Sequence, residues 1–146
     1  MTERTSDPRV ARIVTLFEHF TRDDIARLGE FYGARAHFKD PFNDVRGLAA
    51  IQQVYGHMFE ALDAPRFVVR DIIVQGDQCF LSWDFLFRFK RYSHAEQTVH
   101  GSSHLLLDAI GLIQHHRDYW DAAEELYEKL PVIGSLMRWL KNRANA

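Results

Sequence analysis

Apolar side chains recur every three or four residues at the start of the chain, which is the spacing that places them on one face of a helix. Ser6-Asp7-Pro8 supplies a capping side chain and then a proline where a missing N–H is tolerated. The apolar positions that follow share one stripe: Val10, Ile13, Val14, Phe17 and Phe20. The pattern predicts a first helix that begins at this Asp-Pro pair.

Two more helices are predicted before the middle of the chain. Thr21-Arg22-Asp23-Asp24 provides a second cap and an acidic first turn. The short helix that follows carries its apolar residues at Ile25, Leu28, Phe31 and Tyr32. A third helix begins after Gly47, and Ala64-Pro65 ends it. Its apolar face contains Leu48, Ile51, Tyr55, Met58, Phe59 and Leu62.

From Arg66 onwards apolar and polar residues alternate, which is the pattern of strands. The predicted strands cover residues 66–75, 79–90, 96–107 and 112–120. A turn over residues 108–111 joins the last two, because Gly111 can take the positive φ of a bulged hairpin. Helices followed by hairpins predict an α+β fold, with three N-terminal helices packed on one face of a curved antiparallel sheet.

The helical pattern returns after Trp120 and continues into a basic C-terminal end. We therefore predict one domain over residues 1–125 and an amphipathic helical extension over residues 126–146. Such a helix can cover the sheet or a partner subunit, and a basic amphipathic helix with tryptophan can also lie on a membrane surface. The short length and the few cations favour the first role.

Composition restricts the class of protein. A chain of 146 residues that is 47% hydrophobic can bury the core of one compact domain. The net charge of −2 gives no basic face for a nucleic acid, so DNA and RNA binding are not expected. The single cysteine, Cys79, excludes an internal disulfide. The N-terminal residues lack the apolar core of a signal peptide and no apolar run could span a bilayer, so we expect a soluble cytoplasmic protein.

Two motifs carry a family resemblance. They are FKDP at 38–41, with Gly47 six residues after the proline, and IQHHRDYWD at 113–121. With the order of helices and hairpins, they resemble the SnoaL-like branch of the nuclear transport factor 2 superfamily, which includes ketosteroid isomerases and limonene epoxide hydrolase. The resemblance spans about residues 10–125. It implies a cone of helices and bent sheet around one deep apolar pocket, in a family whose members commonly form dimers.

The isomerase comparison places Asp40 on the aspartate that the family uses to move a proton. The tyrosine of the oxyanion hole falls on Leu16, and the protonated acid falls at or beside Ser103. A leucine cannot donate a hydrogen bond, and the loss of one such donor commonly lowers the rate about a hundredfold or more. Steroid isomerisation by that mechanism is therefore not expected.

The epoxide hydrolase comparison places Asp118 on the second of two aspartates that activate a water, and Asp84 nearest the first. The bridging arginine falls on Ser82. Strand alternation places the apolar residues around Asp84 on the opposite face, so Asp84 should point outward. Asp40 lies where those hydrolases keep a water-holding asparagine, which again implies a position in the pocket wall.

Pairing across the last hairpin predicts separately which residues face the pocket. If the chain turns over residues 108–111, Ser103 lies opposite His116 and Gly101 lies opposite Asp118. The more apolar face of the hairpin should face inward, and it includes His116 and Asp118. The other face is polar and suits solvent or a subunit interface: His100, Ser102, His104, His115, Arg117 and Tyr119.

Asp40, His116 and Asp118 form the candidate catalytic group. A carboxylate in an apolar pocket is desolvated, and an imidazole beside it can share or relay a proton near neutral pH. The expected pocket wall contains Tyr55, Trp83, Ser103 and Trp120. A structural alternative stays open, in which Asp118 accepts hydrogen bonds at the sheet edge and His116 is a satisfied core histidine.

Two functions follow from these residues and from the resemblance. The first is a cofactor-independent isomerase, cyclase or hydrolase that applies acid/base chemistry to an apolar oxygenated substrate, with Asp40 as base. The second is a non-catalytic module that binds a small apolar ligand or a protein. A homodimer through the outer sheet face is expected. No metal site is expected, because the cross-strand pair His104 and His115 has no carboxylate partner.

Overall fold

Helices packed on a six-stranded sheet make up the fold, which confirms the α+β prediction. The computed structural model describes residues 4–91, 95–125, 139–140 and 142–144. Its helices are α1 (Pro8–Glu18), a 3₁₀ helix (Arg22–Glu30), α2 (Leu48–Ala61) and the short α3 (Ala122–Glu125). Its strands are β1 (Tyr32–Lys39), β2 (Asp44–Arg46), β3 (Leu62–Gln75), β4 (Gln78–Phe89), β5 (Gln97–Leu107) and β6 (Ile113–Tyr119). Their order in the sheet is β2-β1-β6-β5-β4-β3.

The first two helices begin where the sequence predicts. The Asp7 side chain accepts a hydrogen bond from the Arg9 backbone N–H at 2.9 Å, and Pro8 follows at the first helical position. The capping box of Thr21 and Asp24 is also present, but it opens a 3₁₀ helix rather than an α-helix. Leu28 is the only fully buried side chain in this segment, so little tertiary packing supports a regular α-helix there.

The sheet is mixed rather than purely antiparallel, because β1 runs parallel to β6. The assignment of Tyr32 to a helix is wrong, since the 3₁₀ helix ends at Glu30 and Tyr32 begins β1. Apolar residues alternate with polar residues or glycine in this strand, but its glycine and two alanines are weak strand formers. The register also shifts between Tyr32 and His37. The unpredicted strand places Tyr32 on the inner side of the sheet, where it is 1% exposed.

The third helix ends earlier than predicted. α2 stops at Ala61, and β3 starts at Leu62 instead of Arg66. Pro65 is tolerated because β3 is an edge strand and its register shifts between Asp63 and Arg66, where no ladder N–H is required. The result is a longer hairpin between β3 and β4.

Apolar side chains from the helices and from the inner face of the sheet form the core. Fully buried members include Ile13, Leu28, Ile51, Leu81 and Leu105. Within the described residues, no helix is both long enough and apolar enough to cross a membrane. The predicted extension over residues 126–146 lies outside the described residues, apart from helical positions 139–140 and 142–144.

Candidate active site

A cavity of about 350 Å³ lies between the helices and the inner face of the sheet. All the residues that the sequence places in the site line it: Asp40, Tyr55, Trp83, Ser103, His116, Asp118 and Trp120. Most other lining side chains are apolar, and several are aromatic: Phe17, Phe38, Phe42, Phe67, Phe85, Phe87 and Phe89. The few polar groups are therefore held in an apolar enclosure.

The hairpin of β5 and β6 carries the central polar groups, in a register that differs from the predicted one. Ser103 pairs with Asp118 instead of His116, and Leu105 pairs with His116. The register shifts next to the turn, between Leu106 and Leu107. Because the difference is an even number of residues, the same side chains still face the cavity. The predicted pairs are wrong, whereas His116 and Asp118 both line the cavity.

The turn itself forms as the sequence suggests. Gly111 has a φ of +94°, a conformation that residues with a β-carbon rarely adopt. The Asp108 side chain accepts hydrogen bonds from the backbone N–H groups of Ile110 at 3.1 Å and Leu112 at 2.9 Å. These contacts tie the hairpin end together and so hold the register of β6.

Asp118 is the centre of a hydrogen-bond network. Its Oδ1 accepts from Ser103 Oγ–H at 2.5 Å and lies 2.6 Å from His116 Nε2. Ser103 Oγ in turn accepts from Trp83 Nε1–H at 2.9 Å. The Asp118 side chain is 13% exposed, and no group in the described part of the chain donates a hydrogen bond to its Oδ2. One carboxylate oxygen is thus held by the protein, and the other is available to a ligand.

Two buried phenols extend the network on the far side of His116. Tyr32 Oη lies 2.7 Å from His116 Nδ1 and 2.8 Å from Tyr55 Oη. Burial raises the pKa of both tyrosines well above the ordinary value, so both phenols stay protonated and act as donors. Tyr32 was missed as a site residue, because its strand was not predicted. The alternation of apolar residues with polar residues or glycine from Tyr32 to Phe38 is the signal that could have indicated it.

One assignment of protons satisfies every donor in this network. Tyr55 donates to Tyr32, Tyr32 donates to Nδ1 of a neutral His116, and His116 Nε2–H donates to an ionised Asp118. With this assignment both nitrogens of His116 are occupied. His116 therefore orients the Asp118 carboxylate, and Asp118 is the member of the pair that can contact a bound molecule.

Asp40 has a structural contact set of its own at the edge of the cavity. Its Oδ1 accepts hydrogen bonds from Phe42 N–H at 2.8 Å, from Asn43 N–H at 2.6 Å and from Asn43 Nδ2 at 3.1 Å. These are the contacts of a side chain that stabilises its own turn. Asp40 is half-buried and still lines the cavity, so the carboxylate is both a turn residue and part of the site.

The structure does not bring together the residues that either of the two mechanisms drawn from the resemblance requires. Leu16 is buried and offers no donor at the oxyanion position. Asp84 lies on the outer face, as predicted, with Arg70 Nε at 2.7 Å and His100 Nδ1 at 2.5 Å. Hydrogen bonds from His100 and Arg70 hold the pKa of this carboxyl below its usual value, and Asp84 takes no part in the cavity.

Histidines gather on the outer face of the sheet. The rings of His37 and His115 are 5.0 Å apart, and those of His104 and His115 are 6.4 Å apart. His37 contacts Asp44, and His104 contacts Gln78. Within the described residues, no group of three or more His, Cys, Asp or Glu side chains is arranged to hold a metal ion.

Gly101 controls the position of Trp83 in the cavity wall. A β-carbon at this position would overlap the six-membered ring of Trp83. Gly101→Ala is therefore expected to displace the indole, to destabilise the fold by about 1–3 kcal/mol and to change the tryptophan fluorescence. Urea unfolding and emission spectra measure both effects.

Gly56→Ala is the matched control for that substitution. Gly56 lies within α2, and a β-carbon there meets nothing within 4 Å. Alanine in a helix is favoured over glycine, so this variant should gain about 0.5–1 kcal/mol. Equal effects of the two substitutions would show that Trp83 is not held against Gly101.

A family model of the SnoaL-like domain matches residues 13–116. The match begins within α1 and runs through α2 and the strands as far as His116 in β6. No curated protein matches the sequence.

Several solved structures share the fold at low sequence identity. A hypothetical protein with a ketosteroid isomerase-like fold from Catenulispora acidiphila, in complex with trimethylamine, is 14% identical, with a TM-score of 0.71 over 84% of this chain and 92% of that one. A protein from Shewanella putrefaciens named for its likeness to SnoaL-like polyketide cyclases is 16% identical, with a TM-score of 0.70 over 84% and 98% of the two chains. An epoxide hydrolase from M. tuberculosis, of the LEH-like type, is 14% identical, with a TM-score of 0.63 over 80% and 83%. At these identities the similarity establishes the fold and leaves the reaction to the residues of the cavity.

Proposed function

This chain belongs to the SnoaL-like domain family, and we propose that it is an enzyme that moves a proton on a small apolar oxygenated substrate without a dissociable cofactor. The observation that carries the proposal is the carboxylate of Asp118. One of its oxygens is held by His116 and Ser103, and the other has no donor in the described part of the chain. Such a group in an apolar cavity suits general base catalysis.

The shared first step of isomerases and cyclases of this kind is enolisation. Asp118 Oδ2 would take a proton from a carbon next to a carbonyl. The electron pair of that C–H bond would form the carbon–carbon double bond of the enolate, and the π pair of the carbonyl would move to its oxygen. The protonated carboxyl can return the proton at another position, or the enolate can attack a second carbonyl, and the carboxyl then gives its proton to the alkoxide that forms. His116 and Ser103 act as positioning residues, because they hold Asp118 and have no further free donor directed to the substrate.

Asp40 was the base expected from the sequence, and the role we propose for it is different. Both of its oxygens accept hydrogen bonds within the turn, whereas Asp118 keeps one oxygen free of such contacts. Asp40 then shapes the edge of the cavity and contributes negative charge to it.

Exchange of hydrogen for deuterium next to a carbonyl tests this proposal without knowledge of the natural substrate. Cyclic ketones and lactones that raise the melting temperature are selected first, and NMR in D₂O then follows loss of the α-proton signal. Protein-dependent exchange supports an enzyme. If every stabilising compound loses its α-protons no faster than it does in buffer alone, the alternative of a non-catalytic binding module replaces the proposal.

We also propose that two copies associate through the outer sheet face. This face exposes the large apolar side chains Ile73, Phe80 and Leu106, and Phe80 stacks on His104 with ring centroids 4.2 Å apart. Exposed apolar residues grouped on one face are typical of an interface.

Phe80→Glu is expected to convert such a dimer to a monomer, because it places a charge at the centre of an apolar contact. Size-exclusion chromatography with light scattering measures the mass. Ile110→Glu is the control, since Ile110 is 80% exposed in the hairpin turn and away from this face. A wild-type protein that is monomeric at all concentrations would contradict the proposal.

A further inference from the structure

The cavity lining contains acidic side chains but no basic lysine or arginine among the described residues. The two carboxylates are those of Asp40 and Asp118. The cations next to them in sequence, Lys39 and Arg117, line an adjoining open cleft rather than the cavity, and each contacts another side chain. Lys39 Nζ lies 3.4 Å from Asp44, and the Arg117 guanidinium lies over the ring of Tyr119 at 4.8 Å. The enclosure is therefore apolar and carries negative charge.

Two aromatic rings form a corner beside these carboxylates. The rings of Phe42 and Trp120 have centroids 5.5 Å apart and meet edge to face at 74°. Phe42 is 53% exposed, so the corner lies where the cavity opens to solvent. Asp40, Asp118 and Trp120 also line the more open cleft that adjoins the cavity, where Lys39 and Arg117 lie as well. Aromatic faces flanked by carboxylates attract an alkylammonium group through the ring quadrupoles and through direct charge attraction.

We propose that the cavity selects a substrate in which a protonated amine is attached to an apolar body. The ammonium group binds at the corner of Phe42 and Trp120, near Asp40 and Asp118, and the apolar body fills the aromatic interior. This inference rests on the proposed function only in assuming that the cavity takes a small molecule. It adds the class of that molecule.

The same features select against an anion. A carboxylate ligand inside the cavity would bring a third negative charge into an enclosure of low polarity whose described lining residues include no lysine or arginine, since Lys39 and Arg117 line only the adjoining cleft. A neutral ligand would gain the apolar contacts alone. The expected order of affinity is therefore ammonium, then neutral, then carboxylate.

Three probes that share one naphthalene body test this order: 2-naphthylmethylammonium, which is the protonated amine at neutral pH, 2-naphthylmethanol and 2-naphthylacetate. Isothermal titration calorimetry on the full chain should show that the ammonium probe binds at least about tenfold more tightly than the alcohol. The carboxylate should bind more weakly than the alcohol. If the carboxylate binds as tightly as the ammonium probe, or if none of the three binds, the proposal is wrong.

Variants locate the effect at the corner. Trp120→Leu keeps apolar volume but removes a ring face, so it should lower the affinity of the ammonium probe about tenfold and that of the alcohol far less. Asp40→Asn keeps an oxygen for the turn and should likewise weaken only the ammonium probe. Phe67→Leu is the control, because its ring packs on Phe17, Trp83 and Phe85, and it should weaken all three probes alike.

Equal loss for all three probes in Trp120→Leu would overturn the ammonium site. The proton-transfer chemistry is decided separately, because α-proton exchange uses neutral ketones. If the protein prefers the ammonium probe but does not exchange α-protons, it is a receptor for amines and not an enzyme. If it exchanges α-protons but does not prefer the ammonium probe, the ammonium site is wrong and the proposed proton transfer stands.

Discussion

Asp118→Asn is expected to lower the rate of protein-dependent α-proton exchange by about 10²–10⁴-fold. The amide has the shape of the carboxylate but cannot take a proton at the available oxygen. His116 Nε2–H and Ser103 Oγ–H can still donate to the amide oxygen, so the contacts at 2.6 Å and 2.5 Å need not change. The loss should therefore appear in turnover, measured by NMR in D₂O, while ligands that raise the melting temperature still bind.

Asp40→Asn separates this assignment from the one that the family resemblance implies. Asparagine retains the Oδ1 that accepts from Phe42 and Asn43, so the turn is preserved. If Asp118 is the base, exchange in this variant should stay within about tenfold of wild type. A result in which Asp40→Asn abolishes exchange and Asp118→Asn spares it would return the role of base to Asp40.

The inner face of the last hairpin is predictable because side chains on a strand alternate. Any register that differs by an even number of residues leaves the same side chains inside, so His116 and Asp118 face the cavity although their predicted partners are wrong. The irregularity between Leu106 and Leu107 is not predictable from the pattern, since an extra residue beside a turn leaves the apolar alternation almost unchanged. Site composition therefore follows from the sequence more readily than exact pairing.

The parallel strand β1 shows where the pattern is insufficient. Phe31 and Tyr32 follow a capped helical segment at helical spacing, and this local signal favours a helix. The pairing of β1 with β6 joins residues distant in sequence, which no local pattern records. The consequence is functional, because Tyr32 supplies the hydrogen bond to His116 Nδ1 that completes the network.

Asp40 shows a different limit. The proline that follows it and the phenylalanines around it indicate a position in the pocket wall, and the structure places it there. The pattern does not distinguish a free carboxylate from one whose oxygen accepts hydrogen bonds from its own turn. That distinction depends on how residues 40–43 fold back, with Asp40 N–H donating to Asn43 O at 2.9 Å.

The two buried phenols, Tyr32 and Tyr55, offer the sharpest test of the direction of the hydrogen bonds, because neither phenol titrates near neutral pH. Burial raises the pKa of Tyr32 and Tyr55, so the stability that their neutral forms contribute is fully present below the ordinary value of about 10 and declines only as pH rises above it. Unfolding free energies measured at neutral pH therefore report hydrogen bonds and not titration of the phenols.

Tyr32→Phe should destabilise the fold by about 3 kcal/mol, because it leaves both the Tyr55 O–H and His116 Nδ1 buried without a partner. Tyr55→Phe should cost only about 1 kcal/mol, since Tyr32 can still donate to His116 and no donor is orphaned. Urea unfolding of the two variants compares them directly. If Tyr55→Phe costs as much as Tyr32→Phe, the chain runs in the opposite direction, with Nδ1–H of His116 donating to Tyr32 and Tyr32 donating to Tyr55. The contact between His116 Nε2 and Asp118 would then require either an imidazolium that donates to the carboxylate or a protonated carboxyl that donates to the ring, and in neither case would Asp118 be a free base held by a neutral ring.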